Sequence, residues 1–229
     1  MIGRDSMRQV LAKAVLVLLP VVLPAATSPV ALAQPAPVVH HDLAVTLDPP
    51  NHRLKVRDRI RIPAAVATAT ISLNADLSVQ AAPGGPRLVT TRSRVQGADT
   101  GMDHDVSGVP VNVYRVEGAN PSQELTLDLQ YEGTINFSVR QSGGEYARSF
   151  SQSPGLIEAR GVYLAGSTYW VPRVDDALVT YTLAVEVPAG WRSVSQGERT
   201  ASERSPSGVS ERWSVTTPTG SPRMPGCCG

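Results

Sequence analysis

The chain has 229 residues, with 21 Lys and Arg against 20 Asp and Glu and a formal net charge of +1. So near-neutral a balance gives no electrostatic footprint for nucleic acid, and the length admits one domain or a two-lobed β domain. The only two cysteines are neighbours, Cys227 and Cys228, which excludes a disulfide framework and a four-thiolate zinc site.

The first predicted element is a secretory signal peptide over residues 1–33. Arg4, Arg8 and Lys13 precede an apolar run from Val15 to Ala26, and Ala31-Leu32-Ala33 supplies an Ala-x-Ala cleavage site before Gln34. The run is well short of the roughly 20 apolar residues of a spanning helix and is broken by Pro20 and Pro24. Removing the segment takes away three cations and Asp5 and leaves a formal charge of −1. The mature chain is expected to be exported, periplasmic or extracellular, with no membrane attachment once the signal is gone.

From residue 34 onward helical periodicity is nearly absent. Period-two alternation recurs instead, punctuated by Gly and Pro, 19 of each in the chain. The first strand runs from about Val38 to Leu47, and Asp48-Pro49-Pro50-Asn51-His52 forms the turn after it. Leu54 to Ile62 follows, with Leu54, Val56, Ile60 and Ile62 on one face and Lys55, Arg57, Arg59 and Arg61 on the other. That stripe of cations reads as a solvated sheet face or a protected edge. Leu125 to Tyr131 alternates without a fault, as does Val179 to Val187, and both read as half-buried antiparallel strands. Thr70–Leu73, Val109–Val116 and Glu211–Val215 are shorter candidates, separated by loops at Ala81–Pro86 and Gln96–Gly108. The expected fold is therefore all-β, an antiparallel β-sandwich or a pair of saddle-shaped open sheets, over 34–216. Residues 217–229, with Pro218, Pro222 and Pro225 among glycines, read as a disordered or aberrant tail. The break in pattern after Val215 suggests a truncated or frame-shifted product.

Few constellations carry chemistry. His40 and His41 are adjacent on a strand and point to opposite faces, so they cannot share an ion without distortion. Asp103-His104-Asp105 is the other candidate metal cluster, and it is no stronger. No nucleophile elbow and no Ser-x-x-Lys occurs. Tyr163, Tyr169, Trp170 and Trp191 cluster in sequence and read either as core plugs or as a glycan-stacking surface. The second possibility defines an alternative function, an independent secreted β-sandwich module binding a glycan or protein partner.

Four stretches together resemble the N-terminal β domain of the aminopeptidase N-like zinc metallopeptidases, peptidase family M1, in their exported bacterial form. His41-Asp-Leu43-Ala-Val45-Thr-Leu47-Asp48-Pro49 is similar to the opening strand and turn of that domain. Leu125 to Gly133 resembles its Leu-x-Leu-x-Tyr-x-Gly strand. Gly161-Val-Tyr-Leu with Tyr169-Trp170-Val-Pro172-Arg-Val-Asp175-Asp resembles its aromatic-Pro-x-x-Asp segment. Val185-Glu-Val-Pro188-Ala-Gly190-Trp191 with Val194-Ser-Gln-Gly197 is similar to the strand and turn that follow. The likeness covers about residues 38–216. It departs at Val56, where members usually carry a bend-permitting Gly.

The resemblance implies that the catalytic machinery lies in a following domain, where an H-E-x-x-H helix and a later Glu hold zinc and a Gly-x-Met-Glu-Asn loop holds the substrate amine. Neither motif occurs here. The chain is therefore expected to be non-catalytic, with no cofactor of its own, the zinc belonging to the catalytic domain of relatives. Its partner would be that domain, and a peptide's N-terminus only in that context. The resemblance further implies one polar side chain that helps hold the substrate's α-amine. Glu158 is the first choice, since a carboxylate gives a charge-assisted bond to an ammonium, and Gln152 is the second. The simpler role for Glu158 is an exposed loop residue paired with Arg160 or with nothing.

Overall fold

The computed structural model describes residues 35–97, 108–142, 150–220 and 224–228. In chain order the strands are β1 (Val38–Asp48), β2 (Arg53–Ile62), β3 (Ile71–Asn74), β4 (Leu77–Ala81), β5 (Arg87–Gln96), β6 (Pro110–Glu117), β7 (Leu125–Thr134), β8 (Arg140–Ser142) and β9 (Phe150–Gln152). They continue as β10 (Gly155–Glu158), β11 (Gly161–Leu164), β12 (Arg173–Val174), β13 (Leu178–Pro188), β14 (Arg192–Val194), β15 (Glu198–Ser205), β16 (Gly208–Thr219) and β17 (Met224–Cys228). Three single turns of 3-10 helix interrupt them, at Pro49–Asn51, Ala64–Val66 and Gly166–Thr168. The fold is all-β.

One seven-stranded sheet has the order β15-β16-β13-β1-β2-β7-β4. Two four-stranded sheets, β10-β11-β17-β14 and β12-β3-β6-β5, and the hairpin β8-β9 complete the described structure. Strict alternation along β1, β2 and β13 turns one face of the large sheet inward, so Leu43, Val45, Leu54, Val56, Ile60, Leu183 and Val185 are buried while their neighbours reach outward. That face shares one apolar core with Ile71, Leu73, Ile157, Val162 and Leu164 of the smaller sheets. Val56 is fully buried and the pairing of β2 with both neighbours runs through it without a shift, so the strand is straight where a glycine would admit a bend.

Two features differ from the sequence reading. The central pair β1 and β13 is parallel, so the large sheet is mixed and β13 is antiparallel only to β16. More than 120 residues separate the two strands, ample for the crossover a parallel pair needs. Beyond residue 216, β16 runs on to Thr219, and Met224–Cys228 lies between β11 and β14. Pro218 falls in the register shift between Val179 and Tyr181, and Pro225 in the one between Val162 and Leu164. At such irregularities a missing N–H costs no ladder bond, which is how prolines enter these strands.

Candidate functional site

Glu158 and Gln152 lie on consecutive strands leading into the four-stranded sheet β10-β11-β17-β14. Glu158 is the last residue of β10, paired with Gly161, and Ala159 and Arg160 make the exposed tip of the β10–β11 hairpin. The hairpin's base is held from three sides. Ile157 N donates to Ile135 O and Phe137 N donates to Gly155 O, while His52 Nδ1 donates to Ile157 O at 2.5 Å. Gly155 is required there, because a Cβ would meet Thr168 Cγ2 at 2.6 Å. A fixed base and a bare tip make Glu158 a well-positioned carboxylate at the molecule's surface. Arg160 Nε donates to Glu158 Oε2 at 2.6 Å, the simple pairing anticipated from sequence. Gln152 sits on β9 opposite Arg140, one strand before Glu158.

The outer side of this sheet carries Tyr163 and Val194, two of the three large apolar side chains left exposed among the described residues, with Leu156 half-buried beside Tyr163. The other aromatics of the cluster are in the interior: Tyr169, Trp170 and Trp191 are all buried. Tyr169 packs with Val109, Val111 and Val113, and its ring lies under Arg173. Tyr163 alone remains of the four aromatics that would build a stacking surface.

The histidines divide as the strand geometry requires. His40 faces outward to Thr180 Oγ1 at 2.9 Å and Asp42 at 3.2 Å, and His41 faces the core. Asp103, His104 and Asp105 lie outside the described residues. Among the described residues no group of three or more His, Cys, Asp and Glu is arranged to hold a metal ion.

Two buried polar networks were missed in the sequence. His41 Nδ1 donates to Asp58 at 2.9 and 3.2 Å, Tyr131 Oη donates to the same carboxylate at 3.4 Å, and His41 Nε2 is buried without a partner. Burial first, then the Asp58 charge and hydrogen bond, push the Tyr131 phenol well above its usual value. The signal was present: Asp58 occupies an inward position between Val56 and Ile60, where an unpaired carboxylate is not tolerated. The second network centres on Glu211, which accepts from Ser193 N at 2.6 Å, from Ser193 Oγ, from Ser202 Oγ at 3.2 Å and from Arg199 at 3.1 Å. Trp213 Nε1 in turn donates to Ser193 Oγ at 2.8 Å. Burial alone would raise the Glu211 carboxyl, but the Ser193 and Ser202 bonds and the Arg199 charge outweigh it and hold the group below its ordinary value.

No protein-family profile and no curated protein matches the chain. Solved structures do. A mutant M1 zinc metallopeptidase from Deinococcus radiodurans, bound to a Tyr-Ser-Ala substrate, is 18% identical with a TM-score of 0.51, over 80% of this chain and 40% of that one. A two-domain M1 zinc metallopeptidase bound to L-arginine is 21% identical with a TM-score of 0.50, over 81% of this chain and 40% of that one. At such identities the likeness concerns fold, and it is the fold that the sequence resemblance implied. The chain is thus built like one part of the M1 zinc metallopeptidases, spanning about 40% of the length of the solved structures it matches.

Proposed function

We propose that this chain is the non-catalytic N-terminal β domain of an exported zinc aminopeptidase-like protein, a domain that packs on a catalytic domain and shapes its substrate cleft. One observation carries the reading: four-fifths of the chain superposes on a minor part of a two-domain peptidase. The order of the four sequence stretches supports it independently. The outer side of the four-stranded sheet, where Leu156, Tyr163 and Val194 stand beside Glu158 and Arg192, offers a surface for the catalytic domain. Glu158 at the hairpin tip would meet the substrate's α-ammonium, with Gln152 as the neighbouring alternative. The Arg160 side chain is 76% exposed, and a pair so open to solvent costs little to exchange for a substrate cation. Zinc and the hydrolytic water would belong to the partner domain.

Export rests on the residue 1–33 pattern. No described helix is long and apolar enough to cross a membrane. N-terminal sequencing of secreted product should begin at Gln34.

The test of the domain assignment is to recover the endogenous polypeptide with an antibody to residues 35–220 and sequence what comes with it. The expected result is a domain carrying H-E-x-x-H, covalently continuous or tightly associated. Recovery of the β domain without any such partner would overturn the assignment.

A further inference from the structure

The outer face of the seven-stranded sheet holds a cleft of about 680 Å3. Its floor is set by register. Ala44 and Ala184 are direct partners across β1 and β13, and on that face they are the smallest side chains of the central strands. The same row continues to Arg57 on one side and Arg212 on the other, and beyond Arg57 to Gln130 and Gln80. Strand spacing puts the two arginine Cα atoms about 14 Å apart across the alanine floor.

The charge state of this row is unlike that of its surroundings. Arg59 is bound to Asp128 at 2.7 Å, Arg61 to Asp42 at 3.4 Å, and Arg53 and Lys55 both to Glu132. Asp42 is also occupied by Thr182 and His40. The guanidinium groups of Arg57 and Arg212 have neither an ion-pair nor a hydrogen-bond partner among the described residues. Two carboxylates in the same condition, Glu186 and Glu203, stand in the adjoining row, one on either side of Ser210.

We propose that this cleft binds an acidic peptide segment lying across the strands, with Arg57 and Arg212 each taking one carboxylate. The guanidinium fork matches a carboxylate bidentately. The alanine strip receives the methylene and methyl groups between the two charges, and Gln130 and Gln80 offer amide donors and acceptors to the peptide main chain. A polyphosphate or polyuronate would call for a continuous run of uncompensated cations, whereas here two such cations stand among matched pairs. The site is on the opposite face of the sheet from the core, so it does not depend on the domain assignment above.

The experiment is fluorescence anisotropy of the full chain with a labelled hexapeptide of alternating Glu and Ala, beside its Lys-Ala counterpart and a polyphosphate chain. The Glu peptide is expected to bind with salt-sensitive affinity. Arg57→Gln with Arg212→Gln should weaken it at least about tenfold, as lost charge-assisted pairs do. Ala44→Leu should weaken it by filling the floor, and Glu186→Gln should tighten it. Arg53→Gln, outside the row, should change it less than about twofold. These residues are exposed or half-exposed, and an unchanged thermal midpoint confirms that each variant is folded. The proposal is overturned if the Glu peptide binds no better than the Lys peptide, if polyphosphate binds and the Glu peptide does not, or if the double arginine variant binds as well as the wild type.

Discussion

At the scale of single residues, the inward carboxylates set the chemistry of the core. Asp58 and Glu211 are almost fully buried on strands whose other inward positions are apolar, and each is held by named donors. Removing the acceptor strands those donors away from water. Asp58→Ala is expected to lower stability by about 3 kcal/mol, since a buried partner is left uncompensated, and urea unfolding followed by Trp fluorescence measures it. The pH limits of folding follow from the same two networks. Because the Tyr131 phenol is raised in the fold, its contribution is intact below about pH 10 and is lost as pH rises beyond that, where an unfolded tyrosine ionises more readily. Tyr131→Phe should therefore flatten the alkaline limb of a stability-against-pH curve. Glu211 is depressed, so its contribution is intact above its ordinary value of 4.5 and lost as pH falls through its lower folded value. Glu211→Gln should flatten the acid limb while costing about 1–3 kcal/mol at neutral pH. These roles were within reach of the sequence only as inward polar positions. Which donor meets which carboxylate depends on direct and diagonal neighbours across strands, and no local pattern carries that.

At the scale of elements, legibility followed the hydrophobic pattern. β1, β2, β7 and β13 alternate because one face is buried, and their residues could be assigned to faces in advance. β5 and β15 could not: Glu198–Ser205 has no buried side chain, sits at the sheet edge and is held to β16 by backbone pairing and by polar side-chain contacts from Arg199, Thr200 and Ser202. The short β8 to β12 and β14 are likewise too brief to show a period. Turn chemistry was legible where glycine was obligatory. Gly197 enters β15 with a φ of +82°, and a Cβ there would lie 2.2 Å from Ser214 O. Gly197→Ala is expected to cost more than about 1 kcal/mol, from left-handed strain and the backbone clash together. A thermal midpoint that is unchanged or raised would show that the turn relaxes freely.

For the whole molecule, sequence order showed that the chain is all-β but not that its central strands run parallel, because pairing across so long a separation is a property of the assembled sheet. The hairpin tip bearing Glu158 was legible as a position, and its pairing with Arg160 as a local contact. The exposed Tyr163 and Val194 required the folded sheet. If that surface is meant for a catalytic domain, the chain alone should associate in solution, and light scattering of the Tyr163→Ser and Val194→Ser double variant should show a shift toward monomer. The most direct measurement is of zinc and catalysis together: the purified full chain, incubated with zinc and freed of excess metal, assayed for bound zinc and for amino acids released from a short peptide. Neither tight zinc nor hydrolysis is the expected result. One tight equivalent of zinc with steady release of amino acids would contradict the assignment of this chain as a domain without catalytic machinery.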